Sequence, residues 1–369
     1  MAKWQVSLEG VEMRTDFWRN KKVLITGHTG FKGSWLSLWL QLKAANVIGY
    51  SLRPPTEPSL FEKARVSEGM ISIDGDVRDL EKVTAVFQEH KPEIVIHMAA
   101  QSLVRYSYEN PVETYATNVM GTLNVLEAVR KTDSAKAVLI ITSDKCYENM
   151  EWPWGYREVE PMGGFDPYSS SKGCAELLTA AYRNSYFLTK ESVGHGAAVA
   201  SARAGNVIGG GDWALDRLIP DIMRAIVNKE TVVIRNPHAI RPWQHVLEPL
   251  NGYMCLIEKL WEDGVTFGEG WNFGPKDEDC KPVSWIVSQL DELWKSGIQW
   301  QLDTGSNPHE AAFLKLDCSK AKNLLKWEPK LNLPLALEYV VEWYEGDMLH
   351  KDLRGITENQ IAKYESIKD

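Results

Sequence analysis

The chain has 369 residues, 44% hydrophobic and 25% charged, which allows one large domain, a smaller one and a substantial core. A net charge of -9 and a pI near 5.5 argue against a broad nucleic-acid or anionic-membrane surface. The five cysteines form no Cys-x-x-Cys pair, no His/Cys cluster has zinc-ligand spacing, and no apolar run approaches the roughly 20 residues of a membrane helix, so a cytoplasmic enzyme with reduced thiols and no metal is expected.

Residues 1–16 show no period and read as an extension outside the fold. "KKVLITG" reads as a buried strand, "FKGSWLSLWLQLK" as a helix, "NVIGYSL" as a strand and "RPPTEPS" as a loop. Strand "MISIDGDV", helix "RDLEKVTAVFQEH" and strand "EIVIHMAA" follow, then a long helix opened by proline in "PVETYATNVMGTLNVLEAVRK". "AVLIITS" is another strand, then a helix from about Pro167 to Tyr186 and the strand "GAAVASARAG". This alternation predicts right-handed crossovers and an α/β, Rossmann-type doubly wound parallel sheet over residues 17–206. Residues 207–369 read as a smaller mixed α/β substrate lobe whose segments can cross back. It has strands in "VVIRNP" and "WNFGP", and helices near 216–229, 246–262 and 283–296.

Between the first strand and first helix, "TGHTGFKG" carries Gly27, Thr29, Gly30, Phe31, Lys32 and Gly33. Glycines here permit a tight turn, close approach of backbone to a diphosphate, and close helix–strand packing, so the loop is expected to bind a dinucleotide. An acid about 20 positions on would hold the ribose 2′-hydroxyl of NAD. That count reaches Arg53, with no carboxylate beside it in sequence, and Lys32 adds charge to the loop, so the residues alone lean toward NADP.

"YSSSK" places Tyr168 and Lys172 four apart, on one face of a helix. A nearby ammonium and a cationic nicotinamide would favour the phenolate, letting Tyr168 take a proton from a sugar hydroxyl. Ser143, at the end of the preceding strand, resembles the hydroxyl that hydrogen-bonds the reacting oxygen in enzymes with this Tyr-x-x-x-Lys pattern, and Asp144-Lys145 follows it. Either Asp144-Lys145 is a second acid/base pair or it is an ion pair that shapes the loop.

The G-x-x-G-x-x-G spacing with Tyr-x-x-x-Lys resembles the extended short-chain dehydrogenase/reductase family. The resemblance implies adenine contacts from Asp76 and Val77, and further cofactor contacts from Ala99, Ala100, Gln101, Asn118, Tyr168 and Lys172. The Asp144-Lys145 pair resembles the sugar-nucleotide 4,6-dehydratases, whose dTDP-glucose members carry Thr-Asp-Glu. The lysine version, with "GCAEL", "RAGNVIGGGDWA" and "RNPHAIRPWQHV", resembles their CDP-glucose branch over residues 17–345. The resemblance implies NAD as cofactor, CDP-glucose as substrate, and an early step of deoxysugar biosynthesis of the lipopolysaccharide O-antigen type. Ser102, Asn206, Arg217, Arg235, Arg241 and His245 are candidate substrate contacts, Arg241 foremost. The resemblance and helix pattern also imply a homodimer or tetramer. Competing readings are a sugar-nucleotide 4-epimerase or dehydrogenase of the same fold, and a non-catalytic nucleotide-sensing protein.

Overall fold

Strand β1 (Lys22–Thr26) leads through a glycine turn into helix α1 (Phe31–Leu42) and strand β2 (Asn46–Ser51). The computed structural model describes residues 17–187, 196–295, 298–305 and 313–367, so the expected extension at 1–16 lies outside the described residues. Strand β3 (Ile71–Asp74), helix α2 (Leu80–His90) and strand β4 (Ile94–His97) complete the first half. A helical run from Pro111 ends in α3 (Gly121–Arg130). It contains a π-helical stretch at Ala116–Met120, where the single expected helix is locally widened. Strand β5 (Ala137–Ile141), helix α4 (Pro167–Tyr182) and strand β6 (Ala198–Arg203) follow. Beyond β6 come α5 (Leu218–Asn228), α6 (Leu247–Phe267) and strand β7 (Gly270–Asn272).

The main sheet runs β7-β6-β5-β4-β1-β2-β3, all parallel. Strand alternation divides the core. Val23, Ile25, Ile94, Ile96, Leu139 and Ala200 pack on one face beneath α1 and α6. Leu24, Val95, Val138, Ile140 and Val199 pack on the other, beneath α2 and α3. Both faces are apolar because helices cover both. Strand order reverses between β1 and β4, which opens a crevice at the carboxyl ends of the strands.

The strand in "WNFGP" is not part of the second lobe, where the sequence suggested it. It is β7, and it extends the main sheet beside β6, Trp271 opposite Ala202. The reason is α6, which lies on the β5–β6 face and returns the chain to the sheet edge. Three short two-stranded pairings make up the lobe: Val207–Ile208 with Gln244–His245, Val232–Ile234 with Trp300–Leu302, and Ile240–Pro242 antiparallel to Cys280–Pro282. Helices Val283–Trp294, Leu333–Met348 and Leu353–Ser366 close the chain. The last packs back on α1, where the Trp39 and Tyr364 rings meet edge-on at 5.6 Å. Among the described residues no helix is long and apolar enough to cross a membrane.

Candidate active site

A cavity of about 1580 Å³ occupies the crevice, larger than a site for one drug-sized ligand and suited to a dinucleotide plus a second nucleotide. The glycine loop forms one end. Gly27 has φ +77°, and a Cβ there would lie 2.7 Å from the Ala99 backbone nitrogen. A Cβ on Gly33 would lie 2.1 Å from the Gly27 carbonyl oxygen, so α1 and the turn touch only without a side chain. Gly30 caps α1, which has no side-chain cap and no acid in its first turn. Gly27, Thr29, Gly30, Phe31, Lys32 and Gly33 all line the cavity, so a positive helix end faces open space.

Asp76, Val77, Ala99, Ala100, Gln101 and Arg53 also line it. Arg78 engages Asp76 through its backbone N–H (2.9 Å) and its Nε (2.8 Å), which holds this carboxyl below the usual carboxylate range. Arg53 is not without a carboxylate. The parallel register sets Asp74 of β3 opposite Ser51, and Asp74 Oδ2 lies 3.5 Å from Arg53 Nε. Sequence distance hid this pair, which forms only when β2 and β3 align. Asn118 does not line the cavity. It is buried, accepts from the Gln101 N–H (2.8 Å) and donates to the Gln101 carbonyl and Ser171 Oγ (2.9 Å each), so it fixes the wall behind Gln101.

The catalytic candidates converge at the centre. Helix α4 begins with Asp166 accepting from the Ser169 N–H and with Pro167 in its first turn. Tyr168, Lys172 and Glu176 follow at four-residue intervals on one buried face. Ser143, Asp144 and Lys145 stand at the end of β5, where Asp144–Cys146 forms a single 3₁₀ turn. Ser143 Oγ donates to Asp144 Oδ1 (3.0 Å) and accepts from the Lys145 N–H (3.2 Å). Asp144 is 1% exposed, and its Oδ2 has no hydrogen-bond partner among the described residues. Burial pushes its carboxyl above the usual range, against the pull of Lys145, Ser143 and Arg241.

Tyr168 and Lys172 lie one turn apart on the buried face of α4. Lys172 Nζ donates to the Ile141 carbonyl (3.2 Å), and burial lowers its amine to about 8. Burial raises Tyr168 to about 12, opposed by Ser143 and Arg217. The Arg217 guanidinium is one charge that favours the phenolate. Lys32 lies near the same cluster. Its Nζ lies 3.4 Å from the Tyr253 hydroxyl, and burial, Lys172 and Arg217 bring its amine down to about 7. The charges that act on it include Lys172, Arg217 and Asp144.

Arg217, at the N-cap of α5, donates to Asp212 (2.9 Å) and to Ser102 Oγ (3.0 Å), which joins two candidate substrate contacts. Asn206, Arg235 and Arg241 line the cavity, with Arg235 bound to the Asp216 carbonyl (3.2 Å) and Arg241 to the Ile240 carbonyl (3.1 Å). His245 does not line it. This ring is fully buried, edge-on to Trp35 (5.7 Å) and Tyr339 (5.5 Å), and burial lowers it to about 3, so it is a core residue. The sequence reading also passed over the buried Glu176–Arg203 ion pair (2.8 Å), tied to Ser201 and Thr142, which fastens α4 to β6. Glu176 falls four residues after Lys172, a spacing that could have marked it.

A parallel α/β sheet, a glycine turn into its first helix, and a Ser–Tyr–Lys set at the crevice define an extended short-chain dehydrogenase/reductase architecture. Residues 24–338 match the family model described as GDP-mannose 4,6 dehydratase, and the chain belongs to that family. It is 56% identical over 351 residues to the CDP-glucose 4,6-dehydratase of Salmonella typhimurium, covering 95% of this chain and 98% of that one. It is 26% identical over 343 residues to a dTDP-glucose 4,6-dehydratase of Xanthomonas campestris pv. campestris, covering 87% and 92%. The fold is that of the Bacillus anthracis dTDP-glucose 4,6-dehydratase in complex with NAD (TM-score 0.73, 22% identity, 90% and 99% covered). The Thermotoga maritima UDP-glucose 4-epimerase shares it too (TM-score 0.75, 21% identity, 88% and 99% covered).

Proposed function

We propose that the chain is an NAD-dependent hydro-lyase that converts CDP-glucose to CDP-4-dehydro-6-deoxyglucose. The observation that carries this reading is a buried carboxyl, Asp144, in the same cavity as Ser143 and Tyr168. Simple hydride transfer needs no second acid, whereas loss of water does. The glycine cradle and the uncapped end of α1 fit a dinucleotide diphosphate, and Arg53 is offset by Asp74, which favours NAD over a 2′-phosphate. A nicotinamide bound there would supply the hydride acceptor for C4 and the hydride donor for C6.

The protein's own groups do the rest. Tyr168 accepts the 4-hydroxyl proton, with Ser143 holding that oxygen. The resulting ketone acidifies the C5 proton, which Lys145 removes. Asp144, whose carboxyl burial raises above the usual range, gives a proton to the departing 6-hydroxyl, which leaves as water. Arg217, Ser102, Arg241, Arg235 and Asn206 line the cavity, which supports them as contacts to the nucleotide sugar. The choice of cytidine rests on the Salmonella relative. Incubation with CDP-glucose and catalytic NAD should yield a product that has lost one water and absorbs in alkali. Stoichiometric reduction of the cofactor without water loss would identify a dehydrogenase instead.

A cytoplasmic setting accords with five free thiols. A homodimer accords with Val112, Met120 and Leu177, which lie exposed on the helical segments at 111–130 and on α4. Gel filtration that finds a monomer would remove that part of the reading.

A further inference from the structure

Gly205 follows β6 in the segment "RAGNV", buried and on the cavity wall. Its φ is not in the left-handed region, so the backbone there would accept any residue. The space would not. A Cβ on Gly205 would lie 1.8 Å from Asp144 Oδ2, 2.0 Å from Asp144 Cγ and 2.5 Å from Asp144 Oδ1. The three nearest atoms are all of one carboxyl group. The same Oδ2 has no hydrogen-bond partner among the described residues, so the bare Cα of Gly205 is what it rests against. Oδ1, on the other side, holds the Ser143 hydroxyl.

We propose that Gly205 is a positioning residue for the elimination step: its missing side chain is the seat that keeps the Asp144 carboxyl turned inward, beside Ser143 and the reacting sugar. A methyl group at this position would displace the carboxyl rather than the backbone. The carboxyl is the end of a short side chain and can rotate away, but it then leaves its buried site and releases Ser143. In the step concerned, the C5–H bond breaks to a base and the C6–O bond breaks. The carboxyl proton passes to the departing oxygen, and water leaves a C5–C6 double bond conjugated to the ketone. Oxidation at C4 uses Tyr168 and does not need the carboxyl. Moving Asp144 should therefore separate the two halves of the reaction.

This inference rests on the dehydratase reading, and G205A, D144A and G205A/D144A, each loaded with NAD, test the two apart. With CDP-glucose, G205A should lose roughly a hundredfold in turnover. It should also accumulate the near-ultraviolet absorbance of reduced cofactor, because hydride has nowhere to return. D144A should show the same signature, and the double variant should be no worse than D144A. G205A at near wild-type turnover, or losses that multiply in the double variant, would overturn the positioning role while leaving the dehydratase reading intact. A normally active D144A overturns both the acid role of Asp144 and the seat, whereas wild type that removes no water from CDP-glucose overturns the dehydratase reading itself. If G205A does not fold, the double variant decides: recovery of folding once the carboxyl is gone supports the seat, and failure to recover overturns it.

Discussion

Tyr168 sits in a pocket where burial raises its phenol to about 12, and Arg217 is a cation that opposes this. Tyr168→Phe removes only one oxygen, so circular dichroism should show an intact fold while turnover drops roughly 10²- to 10⁴-fold. Arg217→Met should lift the phenol further. A phenolate base is active above its pKa, so the rising limb of the kcat profile should move to higher pH. The variant should lose most at neutral pH and regain part in alkali; an unmoved limb would mean Arg217 only binds substrate. At this scale the sequence revealed residue types and spacing: Ser143, Asp144, Tyr168 and Lys172 could be named because chemistry fixes their positions relative to strand ends and helix turns. It could not reveal direction. Lys32 faces the catalytic cluster, His245 faces Trp35, and Asn118 turns behind Gln101, each decided by neighbours far along the chain.

The elements hold the site through buried polar ties more than through local propensity. Glu176–Arg203 fastens α4 to β6 where both residues are about 95% buried, so Glu176→Gln leaves a guanidinium poorly paired. Loss of about 3 kcal/mol in stability is expected by denaturant titration. Glu258 on α6 accepts from Trp18 Nε1 (2.8 Å), and burial raises its carboxyl to about 7. The folded state thus binds this proton more tightly than the unfolded chain, so stability falls as pH rises from about 4.5 to about 7 and stays lower above. Glu258→Gln keeps the acceptor and should be more stable than wild type at alkaline pH by about 3 kcal/mol. It should also show a flatter pH profile across that window; an unchanged slope would place the proton elsewhere. The order of elements could be read from hydrophobic periods. The partner of β7 could not, since strand pairing is a non-local choice settled by the packing of α6.

The molecule as a whole is less divisible than its sequence implies. Its first unit borrows β7 from residues 270–272, and α1 is covered by the helix at 353–366 through Trp39, Tyr364 and the Lys43–Glu365 ion pair (2.7 Å). Removing residues 353–369 exposes the apolar flank of α1, whose first turn borders the cavity. The truncated chain should melt at lower temperature and bind NAD more weakly by calorimetry; full affinity with a lowered melting point would show that α1 keeps its place unaided. The same return of the chain sets an order in time. During synthesis the strands up to β6 emerge long before the residues that seal the sheet edge and cover α1. The nascent chain must therefore wait, with part of its apolar surface uncovered, until the helix at 353–366 has been made.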